Sequence, residues 1–205
     1  NTGEQWDNSA YSTKLIAANY FRASAEAAAA NNQFVFGTAA QGEYRSPRDG
    51  DGRGSHTTST AGGNFGVDTV VEGVPLGKFS GVAPAAKVAA YKACWSGPLV
   101  DSTDDDGCFG GDTLAALDRA IADGVDVINF SIGGGAATST FSIEDEAFLN
   151  AAAAGIFVAV SAGNSGPGAS TADHGSPWYT TVANSTMPGI VGTLELGNGQ
   201  KAAGL

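Results

Sequence analysis

Short apolar runs alternate with helical patterns in the second half of the chain. Two stretches of helical length, Asp112–Gly124 and Ser142–Ala154, each begin on a residue that can cap a helix, and each is closed by a glycine. In the first of them, Leu114, Leu117 and Ile121 mark one apolar face. Four runs rich in small and β-branched apolar residues have the length of strands: Lys87–Ala93, Val125–Ser131, Ile156–Ser161 and Tyr179–Ala183.

Strands separated by helices of about a dozen residues predict parallel βαβ units with right-handed crossovers, and therefore an α/β fold. In such sheets functional groups collect at the carboxyl ends of the strands. Ser131–Gly134 follows one predicted strand, and Ala162–Asn164 follows the next. We therefore expect these two turns to line one site.

The remaining segments have weaker patterns. Residues 1–55 lack a clear period, except that the alanine-rich stretch Ser24–Asn32 could be helical. Leu194–Leu205 is typical of a hairpin that turns at Asn198-Gly199. Neither a repeat nor a linker divides the chain, so we expect residues 1–205 to belong to a single domain.

Composition argues against two classes of function. The formal net charge is −11 and there is no run of lysines or arginines, whereas nucleic-acid binding requires a basic face. No apolar stretch reaches the roughly 18 residues of a membrane-spanning helix. Because the chain starts at Asn1 and carries no signal-peptide pattern, we expect a mature or excised piece of a protein.

Two cysteines, Cys94 and Cys108, flank the acidic loop Asp101–Asp106. A disulfide would hold down a loop that is too polar to hold itself, and it would indicate an oxidising, extracellular compartment. Two unrelated thiols or half of a metal site are the alternatives, although no C-x-x-C or H-E-x-x-H pattern supports a metal. The acidic loop could hold calcium, but it lacks the spacing of a known calcium loop and solvation alone explains it.

His56 lies in the segment DGRGSHTTSTAGGN, residues 51–64, among side chains of minimal bulk. Small neighbours let a helix start pack against a sheet while the imidazole faces a cleft, which suits a general base. A structural or surface histidine is the alternative. The other histidine, His174, has no partner in the sequence, and we expect it to pack near Trp178.

Glycine-rich turns follow two of the predicted strands, and each has an ordinary structural interpretation as a turn after a buried strand. Gly133-Gly134-Gly135 would suit a nucleotide phosphate, but G-x-G-x-x-G fails because Thr138 occupies the last glycine position. The other turn, SAGNSGP at residues 161–167, places Asn164 after a strand end.

Taken together these segments resemble the subtilase family of serine proteases. The histidine motif of that family is G-H-G-T-H, on which His56 falls, with Arg53 replacing the first histidine and Ser55 replacing the threonine. Longer stretches resemble the branch that includes plant cucumisin and its bacterial relatives, and they occur in the family order: Ser12–Phe21, Gly81–Trp95 with Cys108, and Ser176–Met187.

The resemblance implies roles for particular residues. His56 would be the catalytic histidine, and the Asn164 amide would donate to the oxyanion, as in A-G-N-x-G of the family. Ala162 and Gly163 would line the primary specificity pocket. The family's S-x-G-G edge, to which substrate adds as a strand, corresponds to Ser131, Ile132, Gly133 and Gly134.

The resemblance also implies a fold and an activity. The expected fold is a subtilisin-like three-layer α/β fold with a mostly parallel central sheet, incomplete at both ends. The expected activity is serine endopeptidase action on polypeptides by an Asp-His-Ser triad, in a secreted protein without a cofactor. A catalytically silent relative that binds peptides is the alternative, and Arg53 is its support.

Two members of the triad have no candidate in residues 1–205. Asp7 and Asp49 do not follow an apolar strand as the family's apolar-D-[ST]-G pattern requires, and no G-T-S-M-A occurs. Ser185-Thr186-Met187 is only a superficial echo of that serine motif. We therefore expect the aspartate upstream and the serine downstream, with the remainder of the same protease chain as a possible partner.

Overall fold

The computed structural model describes residues 3–100, 104–139, 141–185, 192–195 and 197–204. The helices are α1 (Ala23–Ala30), α2 (Arg53–Gly62), α3 (Gly110–Asp123) and α4 (Ile143–Ala153), with short 3-10 turns at Asn8–Ala10 and Ala39–Gln41. The strands are β1 (Leu15–Tyr20), β2 (Val67–Val71), β3 (Val74–Phe79), β4 (Val88–Lys92), β5 (Cys94–Trp95), β6 (Gly107–Cys108), β7 (Val127–Phe130), β8 (Phe157–Ser161), β9 (Thr180–Val182), β10 (Gly192–Glu195) and β11 (Lys201–Gly204).

The α/β fold with parallel strands is confirmed. β7, β8 and β9 form one parallel sheet in that order, and β1 and β4 form a second parallel pair. β1, which the sequence did not predict, is the partner of β4. The parallel strands therefore lie in two hydrogen-bonded sheets within the described residues, where the sequence predicted a single central one.

The hydrophobic core lies between the three-stranded sheet and the helices α3 and α4. Phe148 of α4 is completely buried, and its ring makes edge-to-face contacts with Phe130 and Tyr179. Leu117 of α3 and Val158 of β8 fill the same cluster. This core fixes α4 across the sheet, and with it the carboxyl ends of β7 and β8.

One predicted helix cap is confirmed and the other is wrong. Ser142 caps α4: its Oγ accepts the Asp145 N–H at 3.1 Å, and the Asp145 carboxylate accepts the Ser142 N–H at 2.7 Å. Asp112 does not cap its own helix, because α3 begins at Gly110 after Phe109. The Asp112 carboxylate instead caps the first turn of α1. Its two oxygens accept the N–H groups of Ser24 and Ala25, both at 2.9 Å.

A buried ion pair holds the loop that leads into α2. The Lys92 ammonium of β4 donates to the Glu43 carboxylate, and both side chains are largely buried. Burial lowers the pKa of Lys92, although the attraction of Glu43 opposes the shift. The other oxygen of Glu43 accepts the Ser96 N–H at 2.7 Å. The segment before His56 is thus attached to the β1–β4 sheet.

The predicted disulfide is present: Cys94 and Cys108 are opposite each other on the antiparallel strands β5 and β6, with Cα atoms 4.2 Å apart. The predicted hairpin is present too. β10 and β11 pair in an antiparallel manner around the Asn198-Gly199 turn, while Leu205 lies outside the described residues.

β2 and β3 form an exposed hairpin that the sequence did not predict. Within the described ranges, no helix is both long and apolar enough to cross a membrane.

Candidate active site

The two glycine-rich turns that follow β7 and β8 lie side by side. Phe130 pairs with Val160 in the parallel register, so both strands end at the same level of the sheet. Immediately beyond, the Ser161 hydroxyl donates to the carbonyl oxygen of Ile132 at 3.2 Å. The structure thus brings Ser131–Gly134 and Ala162–Asn164 together, as the strand-end rule predicts. Their catalytic and substrate-binding roles stay predictions.

Asp173 joins these two turns, and sequence reasoning missed it. Its Oδ2 accepts the Gly134 N–H at 2.8 Å, and its own N–H donates to the Ala162 carbonyl oxygen at 3.1 Å. Asp173 lies in the loop between β8 and β9, where nothing in the spacing distinguishes it from the other polar residues. The one available signal was that a carboxylate closely follows a glycine-asparagine turn.

Two glycines of these turns, Gly133 and Gly163, are required by close approach. A Cβ at Gly133 would lie 2.6 Å from Asp173 Oδ2, and a Cβ at Gly163 would lie 3.1 Å from Asp173 Cβ. Gly163 also has φ +77°, in the left-handed region that side chains disfavour. No side chain therefore projects from Gly133 or Gly163 towards Asp173. Asn164 follows directly and is exposed.

His174 has a structural role. Its Nδ1 lies 2.8 Å from the carbonyl oxygen of Ser161, and its ring makes edge-to-face contacts with Phe130, Phe148 and Tyr179. We expected it near Trp178. The Trp178 ring contacts Phe141 and Tyr179, so His174 and Trp178 pack against the same tyrosine.

His56 lies in the first half of α2 and is exposed. Asp49 holds the start of this helix: its carboxylate accepts the N–H of Gly52 at 2.9 Å and the N–H of Ser55 at 2.7 Å. Burial works against ionisation of Asp49, but these hydrogen bonds outweigh it and the pKa of Asp49 lies below its ordinary value. Arg53, which replaces a histidine of the family motif, pairs with Asp51 at 3.3 Å.

α2 packs against the sheet formed by β1 and β4. Gly62 is buried near its end, where an added Cβ would lie 3.4 Å from Val88 of β4. Among the described residues, no hydrogen bond, ion pair or ring contact connects His56 with the turns after β7 and β8. The prediction that His56 and Asn164 flank one groove therefore stays a prediction.

Two carboxylates of the acidic loop accept hydrogen bonds from the backbone that leads into it. Asp105 Oδ2 accepts the Leu99 N–H at 2.8 Å, and Asp106 Oδ1 accepts the Gly97 N–H at 3.1 Å. Where the structure describes the chain, no three His, Cys, Asp or Glu residues converge as a metal site would need. Asp101 lies outside the described residues, as do Thr186 and Met187 of the sequence that resembles the serine motif.

Comparison with known proteins identifies the class. The model of the subtilase family of peptidases matches residues 4–190, and the chain belongs to this family. The curated relatives include two subtilisin-like proteases of Arabidopsis thaliana. SBT1.6 is 41% identical over 196 residues, which are 94% of this chain and 24% of that protein. SBT5.6 is 41% identical over 204 residues, which are 97% of this chain and 25% of that protein. The chain thus spans about a quarter of the length of these relatives.

Solved structures resemble the chain more distantly. MycP1 from Mycobacterium smegmatis aligns with 58% of this chain and 32% of its own, at 19% identity and a TM-score of 0.40. MycP3, a protease from the type VII (ESX-3) secretion system, gives a TM-score of 0.35 at 20% identity.

Proposed function

We propose that this chain forms part of a secreted serine endopeptidase, in which His56 is the general base and Asn164 stabilises the oxyanion. Membership of the subtilase family over residues 4–190 is the observation that carries the proposal. The adjacent turns after β7 and β8 support it, because they gather an exposed backbone edge and the Asn164 amide at one end of a parallel sheet. The Cys94–Cys108 disulfide supports an extracellular location.

The chemistry would divide as follows. A polypeptide substrate adds along Ser131–Gly134 as an extra strand. His56 accepts the proton of an attacking serine hydroxyl and then returns it to the leaving amine. The side-chain amide of Asn164 donates to the oxygen of the tetrahedral intermediate. The aspartate that orients His56 and the serine nucleophile come from outside residues 1–205.

The open edges of two strands support a place for the missing aspartate. In the described residues β4 pairs only with β1, and β7 pairs only with β8. Both strands lie against α3, since the Tyr91 hydroxyl of β4 donates to Asp123 while Ile128 of β7 belongs to the core that α3 covers. A parallel strand from elsewhere in the protease, ending in the aspartate, would pair between them. Its presence would protect amides of β4 and β7 from hydrogen exchange.

The test compares residues 1–205 with the full-length polypeptide that contains them, using a chromogenic peptide and a fluorophosphonate probe. We expect neither turnover nor labelling with residues 1–205 alone, because an imidazole without a serine has no nucleophile to activate. In the full-length protein, His56→Ala should abolish turnover. Asn164→Ala should lower kcat by about 10²–10³, a value known for such a donor in a subtilisin.

The outcomes separate the alternatives. Covalent labelling of a serine within residues 1–205 would refute the assignment of the nucleophile. A full-length protein that binds peptides but neither labels nor turns over would establish the catalytically silent relative instead. Asp118→Ala, a change at an exposed position on α3, serves as the control for expression and folding.

A further inference from the structure

The Asp173 carboxylate lies between the turn predicted to bind the substrate backbone and the turn predicted to line the primary specificity pocket. Its Oδ2 is 2.8 Å from the Gly134 nitrogen of the first turn, and its Cβ is 3.1 Å from where a side chain at Gly163 of the second turn would begin. The residue is half-buried, and its backbone is fixed to the second turn through the Ala162 carbonyl oxygen. A carboxylate is therefore in contact with both turns.

That charge is only partly compensated. The Gly134 N–H is the hydrogen bond that the carboxylate receives in the described part of the chain, and it engages Oδ2 alone. No lysine, arginine or histidine of the described residues forms an ion pair with Asp173. Oδ1 accepts no hydrogen bond from the described residues and is not fully buried. A half-buried carboxylate in this state attracts a cation.

We propose that Asp173 makes the protease select a lysine or arginine side chain at the residue before the scissile bond. This inference rests on the proposed function. The long methylene stem of a basic residue would lie along the glycine backbone of the two turns, and its charged end would donate to Oδ1. An acidic side chain would meet the same carboxylate and be repelled, while an apolar one would leave the charge unpaired.

Asp173 also holds the Gly134 N–H, so its charge and its hydrogen bond must be tested separately. Asp173→Asn removes the charge but keeps an oxygen that can accept from Gly134, whereas Asp173→Ala removes both. A residue that only positions the turn would be restored by asparagine for every substrate. A residue that recognises a cation would lose that function in both variants.

The experiment uses the full-length protease and peptide substrates that differ only in the residue before the scissile bond: lysine, arginine, phenylalanine, leucine or glutamate. We expect the wild type to favour lysine and arginine over the others in kcat/KM by about tenfold or more. Asp173→Asn should lower kcat/KM for the two basic substrates by about ten- to a hundredfold and change the phenylalanine substrate by less than about threefold. Asp118→Asn, which changes the net charge equally at an exposed site on α3, should leave the preference intact.

A wild type without a preference for basic residues would overturn the proposal and requires no variant. An equal loss on all substrates in Asp173→Asn would also overturn it, because that pattern belongs to a structural role. Either result could occur in a protease that labels with fluorophosphonate, so the proposed function would stand. Failure of the proposed function would look different: no substrate would be cleaved and no serine would be labelled.

Discussion

Replacing Asp112 with alanine would remove the cap of a helix that lies far away in the sequence. The Asp112 carboxylate is 2% exposed and accepts two N–H groups from the first turn of α1, each at 2.9 Å. Loss of a side-chain cap costs about 1 kcal/mol, and a hydrogen bond to a charged group contributes about 1.5–3 kcal/mol. Ala25 is fully buried, so its N–H would find no water in exchange. We expect Asp112→Ala to lower the free energy of unfolding by about 3 kcal/mol.

Thermal unfolding followed by circular dichroism measures this loss. For a folded unit of 150–250 residues, 3 kcal/mol corresponds to a Tm lower by about 6–12 °C. Asp112→Asn should fall between the wild type and Asp112→Ala, because one amide oxygen still accepts. Asp118→Ala removes an exposed carboxylate from the same helix and should change Tm by less than about 2 °C. Equal melting of Asp112→Ala and Asp118→Ala would refute the reasoning.

Two further predictions concern stability. Burial works to raise the pKa of Asp145, but hydrogen bonds from Tyr179, Ser142 and Ser176 outweigh it and hold that pKa below its ordinary value. The stabilising contribution of the Asp145 carboxylate is therefore present above about pH 4 and is lost as the pH falls through the lowered pKa. Tyr179→Phe removes one of these bonds and should destabilise by about 1–2 kcal/mol at pH 7 and move the acid-unfolding midpoint to higher pH; an unchanged midpoint would contradict this. Replacing both Cys94 and Cys108 with alanine should lower the free energy of unfolding in urea by about 3 kcal/mol. If the double variant and the reduced wild type unfold with the same free energy, the disulfide accounts for the whole effect.

The sequence predicted elements well where one periodic signal dominated. β7, β8 and α4 were located to within two residues because β-branched runs, a capping serine and a closing glycine agree there. β1 was missed because LIAANY has no clean alternation, and its strand state depends on pairing with β4. The start of α3 was misplaced because Asp112, read locally, has the character of a cap, and only tertiary structure shows which helix it caps.

The candidate site divides in the same way. The meeting of the turns after β7 and β8 follows from a general property of parallel sheets, and the sequence sufficed to predict it. Asp173 could not be predicted, because its importance depends on which backbone atoms a loop returns to. His56 was found through its motif, but its attachment to the β1–β4 sheet follows from packing at Gly62.

The long-range cap of α1 also affects the order in which elements can form during translation. Asp112 lies 88 residues after Ser24, and ribosomes add roughly 5–20 residues each second. From the synthesis of its first turn, α1 would wait roughly 4–18 seconds before its cap has been synthesised. An eight-residue helix is marginal in water by itself. We therefore expect α1 to become stable during translation only after α3 has been synthesised.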